Sequence, residues 1–350
     1  CPVANVTNKF PGPKYMGPQT QRFREVENLD ELSTDLCNGC GICMSVCPND
    51  VYITDIITIA KSNIKNPKRI IPFVQKILNR PDLVGKIGNI FPILSNFLLN
   101  NSFLRFLSEK FIGLSKDAPL PNFSGYKFKK YIKYNNDRKF KKNLIYFSGC
   151  SVDNFDSDVG ISAIKIMNFL EYNVIVKDNL CCSLPMLSSG EWDAALNKSK
   201  DLIKSLNDGL NKSNFIISTS TSCSLTIKKK YAAYLNFNDS VSNKVSNSVY
   251  DIFEYLLNNH INEISEKMNP IKKNIFYHGP CQLRNHGMGF PALDILKRIP
   301  SLNIILSKSE CCGIGGTFGY NKDNANISNS ISKSLIEQIN ISKPDLILLK

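Results

Sequence analysis

Four cysteines stand in "LCNGCGICMSVCPND", residues 36–50, as C-x2-C-x2-C-x3-C-P. Cys37, Cys40 and Cys43 are three residues apart on one short loop, so three sulfurs can turn into one cavity and grip three corners of an iron-sulfur cube. Cys47 cannot easily join them. In two-cluster ferredoxins the fourth cysteine of such a run ligates the other cluster, and the proline after it turns the chain away. On that logic Cys47-Pro48 serves a partner cluster. The chain also opens on a Cys-Pro pair. Cys1 is therefore expected to complete the cluster of Cys37, Cys40 and Cys43, as the tail of a first motif whose three other cysteines lie upstream. Zinc sites favour two separated cysteine pairs over three cysteines in step followed by Cys-Pro. Twelve cysteines in 350 residues are sparse beside small secreted scaffolds, which sets a disulfide framework aside and fits a reducing cytoplasm.

A second constellation lies downstream. Cys150, Cys181, Cys182 and Cys223 form one ordered set, and Cys281, Cys311 and Cys312 form another. Thirty residues lie between Cys150 and Cys181, and twenty-nine between Cys281 and Cys311. Forty lie between Cys182 and Cys223, and thirty-eight follow Cys312, so the end of the chain falls where a counterpart of Cys223 is due; a truncated C-terminus is expected. The intervening texture is that of alternating strands and helices. "NLIYFSGC" reads as a strand ending in cysteine, "GISAIKIMNFLEY" as an amphipathic helix and "NVIVKDN" as a strand before "CCSLP". "NIFYHGPC", "ALDILKRIP", "LNIILSKSE" and "CCGIGG" repeat the order, which implies two α/β halves with parallel sheets. Cysteines at the C-terminal ends of successive parallel strands converge on one sheet edge, where such folds carry ligands. Gly313, Gly315 and Gly316 let backbone N–H groups approach cluster sulfurs; no Gly-Lys-Ser/Thr follows to make a phosphate loop.

The chain is 43% hydrophobic, enough for two or three cores, and its net charge of +13 favours an anionic partner. Much of that charge sits in "KFKKYIKYNNDRKFKK", residues 127–142. Before it, "IGNIFPILSNFLLNNSFLRFLSEKFIGL", residues 87–114, is apolar at helical spacing, with uninterrupted apolar stretches too short to span a bilayer. A Phe- and Leu-rich amphipathic segment followed by a polybasic run is a two-signal recipe for peripheral attachment to an anionic membrane surface. A helix in the protein's own core or against another protein of a complex fits the same pattern.

"CPVANVTNKFPGPKYMGPQTQRFR", the Cys37 to Cys47 motif, "LPNFSGYKFKKYIK", "FSGCSVDNF", "TSTSCSL", "YHGPCQLR" and "ECCGIGGTFGYNKDN" together resemble the family of iron-sulfur C subunits of anaerobic glycerol-3-phosphate dehydrogenases. The resemblance implies an α/β chain with a small α+β part: a ferredoxin-like 2[4Fe-4S] domain over 1–60, partial here, a helical, amphipathic and basic connection over 61–142, and a duplicated parallel cysteine-rich domain over 143–268 and 269–350. It implies two [4Fe-4S] clusters in the intact ferredoxin domain and leaves the cysteine-rich halves open to a cubane, a modified cluster or none. Cys1, Cys37, Cys40, Cys43 and Cys47 match metal ligands of the family. Cys150, Cys181, Cys182 and Cys223 match the first cysteine-rich half, and Cys281, Cys311 and Cys312 the second. Ser183 stands where Gly is usual, and Ser220 where the full motif has a further cysteine. The function implied is relay of electrons from flavin-containing dehydrogenase subunits towards menaquinone at the inner face of the cell membrane, with no acid, base or nucleophile required. His278 and His286 flank Cys281; a structural hydrogen-bonding role is expected of each, with protonation of a quinone or service as a ligand the alternative, and Arg284 is expected to offset cluster charge. The alternative reading is a heterodisulfide reductase B-like or glycolate/lactate oxidase-type iron-sulfur protein, whose cysteine-rich domain itself does redox chemistry. A zinc-bearing nucleic-acid binder would use the basic run but leaves the repeated α/β cysteine pattern unexplained, and no nucleic-acid partner is expected.

Overall fold

The computed structural model describes residues 1–27, 32–63, 71–135, 140–178 and 180–349, and places them in two compact units. One unit comprises Pro72–Leu187 and Glu191–Ile252. Its centre is β1 (Lys142–Phe147), in which Leu144, Ile145, Tyr146 and Phe147 are all fully buried. A continuous apolar run is what a strand covered on both faces requires. β2 (Tyr172–Lys177), β3 (Ile216–Ser218) and β4 (Val249–Asp251) complete a parallel sheet of order β2-β1-β3-β4. Helix Ser157–Phe169 crosses from β1 to β2, burying Gly160, Ile161, Ala163, Ile164 and Met167. Helix Trp192–Leu210 crosses from β2 to β3 on a stripe of Ala195, Ser199, Leu202, Ile203 and Leu206. Each such aliphatic side chain taken from water contributes roughly 1.5–3 kcal/mol. β4 is three residues long and has no alternation to read in the sequence.

The segment 87–114 is helical but broken. Pro92 opens helix Pro92–Asn100, and Asn101 caps helix Ser102–Phe111 by accepting from the Leu104 N–H at 3.1 Å. Neither helix has a buried residue, so these helices do not fill the unit's own core. The preceding helix Pro81–Gly88 is anchored instead: Lys198 Nζ donates to Asp82 Oδ2 at 2.6 Å, and Arg80 pairs with the partly buried Glu191 at 2.8 Å. Within the basic run, helix Lys127–Asn135 docks through Phe128, fully buried edge-on against Tyr146 with ring centroids 6.0 Å apart. Asp137, Arg138 and Lys139 of that run lie outside the described residues. No helix among the described residues is long and apolar enough to cross a membrane.

The other unit comprises Cys1–Ile71, Ser188–Gly190 and Phe253–Lys350. β5 (Lys273–His278) is flanked by β6 (Leu302–Leu306) and β7 (Leu346–Leu349) in a parallel sheet of order β6-β5-β7. Helix Lys322–Ser342 runs between β6 and β7, its start capped by Asn321 accepting from the Asp323 N–H at 3.0 Å. Val3, Phe10, Met16, Ile42, Ile53 and Ile57 from the first part of the chain share one buried cluster with Phe318, Ile327 and Ile331. The described part of residues 1–63 holds helices and turns and no strand, which corrects the α+β character expected there. Its apolar positions follow helical spacing, as in Ile53, Ile57 and Ala60 of helix Ile53–Asn63, and lack the two-residue alternation a strand needs.

Candidate functional site

The loop carrying Cys37, Cys40 and Cys43 owes its shape to Gly39 and Gly41, whose φ angles of 70° and 77° lie where side-chained residues are strained. Gly41 leads into the one-turn helix Ile42–Ser45, and the Cys40 N–H is held by Asn38 Oδ1 at 3.2 Å. Cys43 Sγ lies 3.4 Å from Thr54 Oγ1. Cys1, Cys37, Cys40 and Cys43 line one pocket, walled by Pro2, Val3, Phe10, Pro13, Asn38 and Thr54. Cys47 is not among its lining residues, although it packs against the same apolar cluster. Burial, and after it the nearby Cys281, push the Cys40 thiol well above its ordinary range; burial also raises Cys43, partly offset by Thr54.

The second cysteine-rich half lies in this same unit. β5 ends at His278, and Cys281 begins helix Cys281–His286 directly after Pro280. Cys311 and Cys312 follow β6, and Gly313 comes next at φ 88°, its N–H on Cys311 Sγ at 3.4 Å and its carbonyl accepting from Ser328 Oγ at 2.9 Å. Gln282 Nε2 donates to the Gly39 carbonyl at 3.2 Å, tying this half to the Cys37–Cys43 loop. Burial pushes Cys311 up to about 12. His278 Nδ1 lies 3.1 Å from Ser307 Oγ, and burial together with the Arg284 charge lowers its pKa. A buried neutral imidazole pinned at one nitrogen suits the structural part expected of it. Arg284 stacks over the Phe290 ring, its guanidinium 5.2 Å from the centroid, and His286 is buried.

In the other unit three adjacent strands deliver four sulfurs. Cys150 sits on helix Gly149–Asn154 after β1, Cys181 and Cys182 follow β2, and Cys223 lies in helix Thr221–Leu225 after β3. The thiols are near enough to influence one another's ionisation in sequence, Cys150 with Cys181, Cys181 with Cys182 and Cys182 with Cys223. The Cys181 thiol and then burial hold Cys150 far up its scale. Cys150 eases Cys181, but Cys182 and burial still push it up to about 12. The supports around these sulfurs were not legible in the sequence. Tyr231 Oη donates to the Cys182 carbonyl at 2.8 Å, Thr221 Oγ1 to the buried Asp251 at 2.9 Å, and Asn154 Nδ2 to the Cys150 carbonyl at 3.0 Å. Ser220 caps the Cys223 helix, accepting from the Cys223 N–H at 3.4 Å.

Ser183 repeats the geometry of Gly313 with a side chain attached. Its N–H reaches Cys181 Sγ at 3.4 Å, its φ is 60°, and its buried Oγ has no hydrogen-bond partner among the described residues. Left-handed backbone costs a non-glycine residue roughly 1–2 kcal/mol, and an unpaired buried hydroxyl about as much, against the entropy a glycine adds to the unfolded chain. Ser183→Gly is therefore expected to stabilise the chain by about 1 kcal/mol, read as a rise of roughly 2–4 °C in the thermal midpoint. A lower midpoint would contradict this reading.

These donor sets suit iron-sulfur ligation. Thiols crowded in apolar surroundings resist ionisation unless a cationic centre joins them, and several come within reach of backbone N–H groups that can stabilise sulfur. Among the described residues no group of His, Cys, Asp or Glu side chains is drawn tightly enough to hold a single metal ion; a cube takes its thiolates at separate corners. The sequence matches the 4Fe-4S binding domain over residues 31–53 and the cysteine-rich domain over residues 144–228 and 275–350. It is 27% identical to the C subunit of anaerobic glycerol-3-phosphate dehydrogenase of Escherichia coli (strain K12), across 99% of this chain and 88% of that protein. It is 30% identical to the B subunit of fumarate reductase (CoM/CoB) of Methanothermobacter marburgensis across 58% of this chain and 39% of that one. The D subunit of dihydromethanophenazine:CoB--CoM heterodisulfide reductase of Methanosarcina barkeri is 22% identical across 87% of this chain and 67% of its own. No solved structure matches. The chain is an iron-sulfur electron-transfer protein carrying a 4Fe-4S binding domain and two cysteine-rich segments, similar along nearly its whole length to the C subunit of anaerobic glycerol-3-phosphate dehydrogenase.

Proposed function

We propose that the chain relays electrons from a flavin-containing glycerol-3-phosphate dehydrogenase partner to menaquinone, bound peripherally to the inner face of the cell membrane. The pocket lined by Cys1, Cys37, Cys40 and Cys43 carries this reading, because residues 36 positions apart supply one four-thiol set. In the two-cluster arrangement Cys47 belongs to a second cluster. Cys150, Cys181, Cys182 and Cys223 form the ligand set of one duplicated half, and Cys281, Cys311 and Cys312 that of the other. A cluster held at these thiolates supplies one-electron transfer with no bond made or broken in the protein. The chain's own residues fix the sulfurs, exclude water through Val3 and Phe10, and aim backbone N–H groups at Cys181 and Cys311. Ser220 argues against the paired-cluster chemistry of a disulfide reductase in the first half, since the position that would add a thiolate is a hydroxyl committed to capping a helix.

The membrane side of the reading is supported by the exposed apolar arm. Ile93, Phe97, Phe103, Phe106 and Phe111 are each at least half exposed, on helices with no buried residue and in the same unit as the lysines of helix Lys127–Asn135. The arm continues from helix Pro81–Gly88, which packs on the helix carrying Cys150, with Asn89 Nδ2 donating to the Asn154 carbonyl at 3.1 Å. Lipid contact and the first-half thiols therefore belong to one packed unit.

The test uses anaerobically prepared protein. Iron and sulfide analysis and EPR after reduction are expected to show cubane clusters. Flotation with anionic vesicles is expected to recover the wild type and to lose a Phe97→Ser, Phe103→Ser, Phe106→Ser variant by tenfold or more, since each buried aromatic is worth roughly 1.5–3 kcal/mol. Colourless, iron-free protein would refute the relay; flotation unaffected by the three serines would refute the arm.

A further inference from the structure

The strands that lead into the two cysteine sets end on different side chains. "NLIYFSGC" and "NIFYHGPC" align Phe147 of β1 with His278 of β5. A Cβ on Gly149 would stand 4.0 Å from the Phe147 ring and 3.5 Å from Cys223 Sγ, so the side chain at this register borders the thiols of its half. In the second half that place holds an imidazole, 3% exposed. Ser307 Oγ accepts from the Ser309 N–H at 3.1 Å and lies 3.1 Å from His278 Nδ1, against 3.4 Å from the Ser309 carbonyl. Its hydrogen therefore goes to Nδ1, and the one hydrogen of the neutral ring is left on Nε2. Nε2 is buried without a hydrogen-bond partner among the described residues, and so is Arg284 Nε. Arg284 stands one turn after Cys281 on helix Cys281–His286, and its charge reaches His278. Two neighbouring buried donors are costly to leave without an acceptor.

We propose that His278 Nε2–H and Arg284 Nε–H donate to the sulfur atoms of a cluster held by Cys281, Cys311 and Cys312, and that they make this cluster easier to reduce. The inference rests on the reading of those three cysteines as ligands. Their surroundings fit it: Cys281 is near enough to Cys311 to oppose its ionisation, the Gly313 N–H already points at Cys311 Sγ at 3.4 Å, and Ser307, which orients the imidazole, stands four residues before Cys311. An N–H aimed at sulfur stabilises the more negative, reduced state more than the oxidised one, and such hydrogen bonds are among the features that set a cluster's potential. Phe147 has no hydrogen of this kind to offer at the matching place.

The whole chain is prepared anaerobically, and the second-half cluster is identified as the EPR signal that Cys311→Ala removes. At a fixed potential His278→Phe is expected to move its oxidised-to-reduced ratio about tenfold towards oxidised, equal to about 59 mV for a one-electron couple. His278→Gln, whose amide N–H stands near the place of Nε2, is expected to keep the ratio close to that of the wild type. His278→Asn, whose amide reaches only the place of Nδ1, is expected to shift like Phe. Arg284→Lys keeps the charge without the Nε–H and is expected to move the ratio the same way. An imidazole that serves only to bind Ser307 predicts the reverse, rescue by Asn and not by Gln. That result, or a Phe variant titrating like the wild type, overturns the proposal for His278; an Arg284→Lys variant titrating like the wild type overturns it for Arg284. Should the Phe variant fail to assemble, the Gln and Asn pair decides. A wild type without the signal that Cys311→Ala removes overturns the ligand reading and the two donors with it, whereas an intact signal whose potential no variant moves overturns the donors alone.

Discussion

Cys40→Ala is expected to abolish one [4Fe-4S] EPR signal and one cluster's share of iron, while the far-ultraviolet circular dichroism stays that of the wild type. Cys40 is the informative member of the four-thiol pocket because it is held deep in the loop with Cys281 and Cys311 close enough to oppose its ionisation. On the proposed ligand assignment, removing its sulfur leaves three of the four thiols that line the pocket. The fold has other support: Val3, Met16, Ile42 and Ile57 still pack on Phe318 and Ile331, and β5 keeps Ile275, Phe276 and Tyr277 buried. Cys47→Ala is the control, since that thiol lies outside the pocket lining. It is expected to spare the pocket cluster that Cys40→Ala removes. Two variants with the same EPR spectrum and the same iron content as the wild type would leave the four-thiol assignment without support.

What the sequence disclosed and what it hid divide along the range of the interactions. Cysteine spacing and strand texture are local, and from them the arrival of Cys150, Cys182 and Cys223 at the ends of neighbouring parallel strands could be read before any geometry. The packing of the first 71 residues with Phe253–Lys350 could not, because no periodicity encodes that Met16 and Ile327 share one buried cluster. The segment 87–114 reads as one amphipathic stretch, yet Pro92 and Asn101 divide it. Phe128 looks like one aromatic in a solvated run of lysines and is the pin that docks the helix. The burial of Lys61 has a signal in the sequence, since it continues the stripe of Ile53 and Ile57 at helical spacing. Ser183 was visible as a departure from glycine, but its cost depends on a φ of 60° that only the folded chain reveals.

The same backbone turn yields the second large effect. Gly313→Ala is expected to destabilise the chain by about 2–5 kcal/mol, and Gly316→Ala by only about 1–2 kcal/mol. Both glycines have left-handed φ, 88° and 68°, so both alanines bear the backbone strain. They differ in what a new methyl group meets. At Gly316 nothing lies within 4 Å, whereas at Gly313 the methyl would overlap the Ser328 carbonyl and press on Ser332 of helix Lys322–Ser342. A helix backbone cannot yield as a flexible side chain can, so the turn itself must move. Moving it withdraws the Gly313 N–H from Cys311 Sγ and the Gly313 carbonyl from Ser328 Oγ. Thermal unfolding of the two alanine variants, followed by circular dichroism, separates the terms: strain alone predicts equal midpoints, and close helix contact predicts that Gly313→Ala melts well below Gly316→Ala. Equal midpoints would mean that the glycine after the paired cysteines is there only for its φ angle, in which case Ser183 at the matching turn is a tolerable substitute and Gly313→Ser should be as well.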